Sequence, residues 1–102
     1  PNAQALKKFQ DMKFGMFIHW GPSSIRGTSS WARGNHPYDF APRIPINEFD
    51  SLYVQFHPIF FDAQDWIRTA KESGMKYFVM VSKHHDGFCN WDSEYTNYDN
   101  DY

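Results

Sequence analysis

Two apolar runs without polar alternation constrain this chain most: "FGMFI" ending at Ile18, and "KYFVMVS" from Lys76 to Ser82. A strand with one wet face alternates apolar and polar residues, so runs like these read as strands covered on both faces, as in parallel sheets. Between them, "FDAQDWIRTAKESG" is the clearest helix. Asp62 can cap it, Asp65 sits in the first turn where the helix dipole favours an anion, and Gly74 can close its C-terminus. Trp66, Ile67 and Ala70 form its expected inward face. Strand, loop, helix and strand in this order spell a crossover in a parallel sheet, and the fold class is α/β. Parallel strands share one C-terminal edge, where such folds build their sites. That edge is expected to carry His19-Trp20-Gly21 and Lys83-His84-His85-Asp86-Gly87, with Gly21 and Gly87 allowing sharp turns.

Asn2 to Met12 is expected to be a helix capped by Asn2, with Leu6, Phe9 and Met12 near one face. Pro22 to Pro45 contains "PSSIRGTSS" and "GNHPYDFAPRIP" and reads as a long irregular connection. "INEFDSLYVQF" places Ile46, Phe49, Tyr53 and Phe56 at helical spacing, ending near His57-Pro58. After Phe88 the tail has no clear period and reads as loop. At 102 residues the chain is treated as one segment with at most one core.

Composition excludes several functions. The net charge is -2 and Lys and Arg are scattered, so no nucleic-acid footprint is present. No apolar run approaches the roughly 20 residues of a membrane span; "PNAQALKKFQ" lacks a signal-peptide pattern but starts without methionine, so a removed leader stays open and the compartment is not legible. The single cysteine, Cys89, allows no internal disulfide and reads as a small buried residue.

Aromatic content of 20% implies a large core, a stacking surface or both. Trp20, Trp31, Phe88 and Trp91 can stack on a sugar ring, while His19, His84, His85 and Asp86 can bond its hydroxyls. Simpler roles compete: core packing for each tryptophan, a bonded loop pair for His84 and His85, and a self-tied turn for Asp86. A metal site would use His19, His84 and His85, but neighbours on an extended chain point to opposite faces, so His84 and His85 are not expected to grip one ion without a turn between them. Lys83 and Arg33 read as solvated charges, and His36 and His57 as turn residues. Ser23, Ser24, Ser29 and Ser30 lie in no nucleophile-elbow context.

"MKFGMFIHWGPSS", "FDAQDWIRTAKESGMKYFVMVSKHHDGF" and "NWDSEYTNYD" together resemble the N-terminal part of the catalytic domain of α-L-fucosidases of glycoside hydrolase family 29. The resemblance implies a (β/α)8 (TIM-like) barrel, of which this chain supplies the first βα units, since a whole barrel takes about 250 residues. The partial barrel is expected to be completed by further sequence or by homo-oligomerisation. The family's reaction is retaining hydrolysis of terminal α-L-fucosides through two carboxylates roughly 5 Å apart. By resemblance, His19, Trp31, His84 and His85 contact the sugar, and Trp20 joins them as a stacking residue at the strand end. The nucleophile matches no residue of the chain, leaving Asp86 as a weak catalytic candidate. The family often places glutamate before the pocket tryptophan, where this chain has Ser30. No metal or organic cofactor is implied. The expected partners are fucosylated glycans or L-fucose, in a secreted, periplasmic or lysosomal setting. A non-catalytic fucose-binding module and a purely structural fragment are the rival expectations.

Overall fold

The computed structural model describes residues 2–34 and 43–100, so His36 lies outside the described residues. The element order is α1 (Ala3–Met12), β1 (Gly15–Ile18), 3-10 helices at Pro22–Arg26 and Ser30–Ala32, α2 (Ile46–Asp50), a 3-10 helix at Leu52–Gln55, α3 (Ala63–Glu72) and β2 (Tyr77–Met80). The chain divides into two compact units, one of Pro1–Ile18 with Phe60–Met80 and the other of His19–Ile59 with Val81–Tyr102.

The first unit is the crossover expected from the sequence. β1 and β2 pair in parallel, in the register Gly15↔Tyr77 through Ile18↔Met80. The helix before β2 starts where Asp62 Oδ1 accepts the Gln64 and Asp65 N–H groups at 2.8 and 3.1 Å. It stops at Gly74, whose φ of +81° suits a residue without Cβ. The Gly74 and Met75 N–H groups then bond back to the carbonyls of Lys71 and Ala70, both at 3.0 Å, which satisfies the last turn. Ala70 is buried, Trp66 half-buried and Ile67 exposed, so the inward face is narrower than its apolar residues suggest. In α1, Asn2 caps through the Ala5 N–H at 3.0 Å, and Phe9 packs on Tyr77 with ring centroids 5.2 Å apart.

Gly15 is required by that packing. A Cβ there would lie 2.5 Å from the Tyr77 ring, so the strand position must stay empty for the ring to cross it. The expectation that both strand faces are covered does not hold within the described residues. The paired residues Phe17 and Val79 are 62% and 38% exposed. Two strands with α1 and the crossover helix α3 provide too few elements to cover both faces fully.

The second unit holds the larger core. Ala32, Ile44, Phe49 and Leu52 form its buried cluster. An aromatic chain continues it, with centroid separations of 5.1 Å for Trp20–Phe56, 5.6 Å for Phe56–Phe88 and 5.4 Å for Phe88–Tyr98, each edge to face. The expected helix over "INEFDSLYVQF" breaks into α2 and a 3-10 turn. Ser51 causes the break: its hydroxyl donates to the Glu48 carbonyl at 2.7 Å, competing with the helical pattern.

Arg33 is not a solvated charge. Its guanidinium grips Asp50 through Nε and Nη2 at 2.5 and 2.7 Å, and this pairing raises its pKa. The tail is also better anchored than expected. The Cys89 N–H bonds to the Tyr98 carbonyl at 3.1 Å, the Asn100 N–H to the Cys89 carbonyl at 3.1 Å, and buried Asp99 accepts the Ser93 N–H at 2.8 Å. Cys89 is a free, buried cysteine, as its isolation in the sequence suggested.

Candidate functional site

The site lies wholly within the second unit and is built from segments that leave the strands. β1 ends at Ile18, and the chain passes straight into His19 and Trp20; β2 ends at Met80, and Val81 to His84 follow. Asn90 clasps these two segments. Its Nδ2 donates to the Trp20 carbonyl at 2.7 Å and to the Val81 carbonyl at 3.1 Å, while its backbone N–H bonds to the Ser82 carbonyl at 2.8 Å. Two carbonyls fix the amide's orientation and leave Oδ1 buried without a partner among the described residues.

A third segment closes the ring of walls. Pro22–Arg26 and Ser30–Ala32 are short 3-10 turns, the second capped by the Ser29 hydroxyl accepting the Trp31 N–H at 3.2 Å. Together the segments enclose a cavity of about 320 Å³. His19, Trp20, Trp31 and His84 line it, with Asp86, Phe88 and Asn90, and a hydroxyl wall of Ser23, Ser24, Thr28, Ser29 and Ser30 completes it. The volume falls at the lower end of small-molecule pockets, roughly 300–1,000 Å³.

The imidazoles meet closely. The rings of His19 and His84 stand edge to face with centroids 5.0 Å apart, and Trp31 lies edge-on to His84 at 6.5 Å. His85 is not part of the wall; it is exposed and rests against Trp31, centroids 3.9 Å apart. The turn that the extended-chain argument allowed for is present: the Gly87 N–H bonds to the His84 carbonyl at 3.0 Å and turns the backbone there. Their rings consequently meet at 4.5 Å. Among the described residues no group of three His, Cys, Asp or Glu side chains could hold a metal ion. Trp91 is exposed and outside the cavity wall.

Burial lowers the pKa of His84, and the like charges of His85 and His19 push it down further. Both effects favour the neutral ring, against the weaker opposing pull of Asp86. Burial raises the pKa of Asp86, against the opposing pull of the Phe88 N–H, which its Oδ1 accepts at 3.2 Å. That bond is the self-tied turn expected for Asp before Gly. Tyr98 behind the site is pushed up as well, first by burial and then by Asp86 and Asp50. Ser30 supplies the remaining polar contact, its Oγ hydrogen-bonded to His84 Nδ1. The cavity thus offers indole faces, neutral imidazole and many hydroxyls, with Asp86 as the carboxyl residue among its described lining.

The sequence patterns mark neither Asn90 nor the hydroxyl wall as pocket lining, apart from Ser30, which precedes the pocket tryptophan. "PSSIRGTSS" carried the wall as a serine-rich connection, a composition shared with ordinary loops. Asn90 is a lone amide with no spacing to mark it.

Comparison with known proteins gives a consistent relationship. Residues 2–101 match the family model described as α-L-fucosidase. The chain is 36% identical over 101 residues to plasma α-L-fucosidase of Homo sapiens, covering 86% of this chain and 21% of that protein. It is 36% identical over 98 residues to α-L-fucosidase 1 of Arabidopsis thaliana, with 96% and 16% covered. Among solved structures, an α-L-fucosidase of glycoside hydrolase family 29 from Bacteroides thetaiotaomicron superposes with a TM-score of 0.76 at 36% identity, over 97% of this chain and 23% of that one. The Thermotoga maritima α-fucosidase, solved with a mechanism-based inhibitor, gives a TM-score of 0.70 at 26% identity, over 97% and 30%. The chain spans about a fifth of the length of the curated relatives it matches. It belongs to the α-L-fucosidase family.

Proposed function

We propose that this chain supplies the sugar-recognition part of a retaining exo-α-L-fucosidase acting on fucosylated glycans. The observation that carries the reading is the convergence of His19, Trp20, Trp31 and His84 on one cavity of monosaccharide scale. A pyranose needs an apolar surface for its C–H face and directional partners for its hydroxyls, and indole and imidazole groups supply both. Trp31 offers the stacking surface, braced from outside by His85. His19 and His84 offer nitrogens held by ring packing, so little side-chain freedom is lost when a ligand binds.

The reaction requires a carboxylate nucleophile and a carboxylic acid on either side of the glycosidic bond. Asp86 has one oxygen committed to its own turn, and no second carboxyl residue joins it among the described wall residues. The nucleophile and acid therefore come from elsewhere in the protein, on further strands of a (β/α)8 barrel of which β1 and β2 are the first. The exposed apolar pair Phe17 and Val79 supports a structure that continues beyond these elements. A second reading, a fucose-binding module without turnover, is favoured by that same shortage of carboxylates.

Release of p-nitrophenol from its α-L-fucoside tests the proposal. The protein is expected to hydrolyse it, and His84→Ala to lose at least an order of magnitude in kcat/KM, as removal of a buried polar contact to substrate does. L-fucose binding without hydrolysis would establish the module instead. Neither binding nor hydrolysis by a folded protein would refute both.

A further inference from the structure

We infer that Ser30 is a positioning residue that holds the proton of His84 on Nε2, making this imidazole a hydrogen-bond donor toward the cavity. The inference deepens the sugar-pocket reading and rests on it for the identity of the ligand. It starts from the contact between Ser30 Oγ and His84 Nδ1, two residues that both line the cavity. A neutral imidazole carries one proton, and the nitrogen that accepts a hydrogen bond is the one without it. Among the described residues His84 Nδ1 is the sole hydrogen-bond partner of the Ser30 hydroxyl. If Nδ1 held the ring proton, Ser30 would accept it and its own proton would be left in a part-buried place with no acceptor among the described residues. Donation from Ser30 to Nδ1 pairs the hydroxyl proton with a ring lone pair and leaves the ring's own proton as the unpaired donor. The ring proton then sits on Nε2, which has no hydrogen-bond partner among the described residues.

Two further observations agree. Burial and the neighbouring imidazoles oppose a second proton on His84, so the ring has a tautomer to be fixed. Ser30 is itself held, because it opens a 3-10 turn whose preceding residue, Ser29, caps the Trp31 N–H. The group recognised by His84 is consequently an oxygen lone pair, such as a sugar hydroxyl supplies. A carboxylate at position 30 would do the opposite: it cannot donate to Nδ1, so it would draw a proton onto it and stabilise imidazolium. Serine at this position therefore sets the polarity of the pocket's central contact, beyond omitting a charge.

The test is the tautomer itself, read from the nitrogen-15 shifts of the imidazoles in histidine-labelled protein above pH 7.5. His84 is expected to show a protonated Nε2 and an unprotonated Nδ1. Ser30→Ala should shift these signals toward a mixture, Ser30→Thr should restore them, and Ser30→Asp should protonate Nδ1. L-fucose titrated into the same samples should bind about tenfold more weakly to Ser30→Ala than to the wild type or Ser30→Thr. A protonated Nδ1 in the wild type, or a tautomer indifferent to Ser30→Ala in a folded protein, overturns the inference. If the tautomer behaves as stated and L-fucose does not bind, the sugar reading fails and the role of Ser30 on His84 stands.

Discussion

Replacing Asn90 by aspartate changes almost no volume but reverses the chemistry of the clasp. Asn90 Nδ2 faces the carbonyl oxygens of Trp20 and Val81 at 2.7 and 3.1 Å. Asn90→Ala removes both bonds to part-buried carbonyls, which costs about 1–3 kcal/mol when each bond contributes about 0.5–1.5 kcal/mol net. Asn90→Asp loses the same bonds and aims a carboxylate at two carbonyl oxygens, so at pH 7 it should be the more destabilising of the two. The introduced carboxyl would have a folded-state pKa above its unfolded value. Its penalty is therefore absent below the unfolded carboxylate range, near pH 4, and grows as pH rises through the folded value. Urea unfolding at pH 7 and pH 4 reads both effects. The expected order at pH 7 is wild type, Asn90→Ala, Asn90→Asp, with the aspartate variant recovering at pH 4. If both variants unfold within about 0.5 kcal/mol of the wild type at both pH values, the clasp does not hold the segments carrying His19 and His84 together.

Three other substitutions probe separate parts of the account. Gly15→Ala drives a Cβ into the Tyr77 ring and should cost about 1–3 kcal/mol by thermal or urea unfolding, with the cost largely abolished in a Tyr77→Ala background. Asp86→Asn keeps an oxygen for the Phe88 N–H and removes an ionisation that burial opposes. Because the folded pKa of Asp86 is raised, stability falls as pH rises through it, so the asparagine variant should gain on the wild type at pH 7 and match it below pH 4. Arg33→Lys retains the charge but not the two-pronged grip on Asp50. With both side chains about a third exposed, at 34% and 35%, the expected loss is about 0.5–1 kcal/mol in a double-mutant cycle with Asp50→Ala.

The legible parts of the sequence were those with a local physical cause. The Asp62 cap, the Gly74 stop and the uninterrupted apolar runs each act within a few residues, and the structure shows α3 and the parallel pair where they indicated. The convergence of His19, Trp20, Trp31 and His84 followed from strand order and resemblance together. Three features were not legible, because each depends on partners distant in sequence. Asn90 has its meaning from Trp20 and Val81, Ser30 from His84, and Arg33 from Asp50. The break at Ser51 was hidden for another reason: apolar spacing continues through it, while a hydroxyl bond to Glu48 ends the helix. The turn after His84, the exception to the extended-chain rule, brings the paired imidazoles together.

Titration of L-fucose into labelled protein, followed through the imidazole and indole resonances, asks whether the cavity is the sugar site. The account expects the signals of His19, Trp31 and His84 to move together and saturate with L-fucose, and to stay still with D-fucose at the same concentrations. Saturable binding or hydrolysis that leaves all three unmoved would place the sugar elsewhere and contradict it.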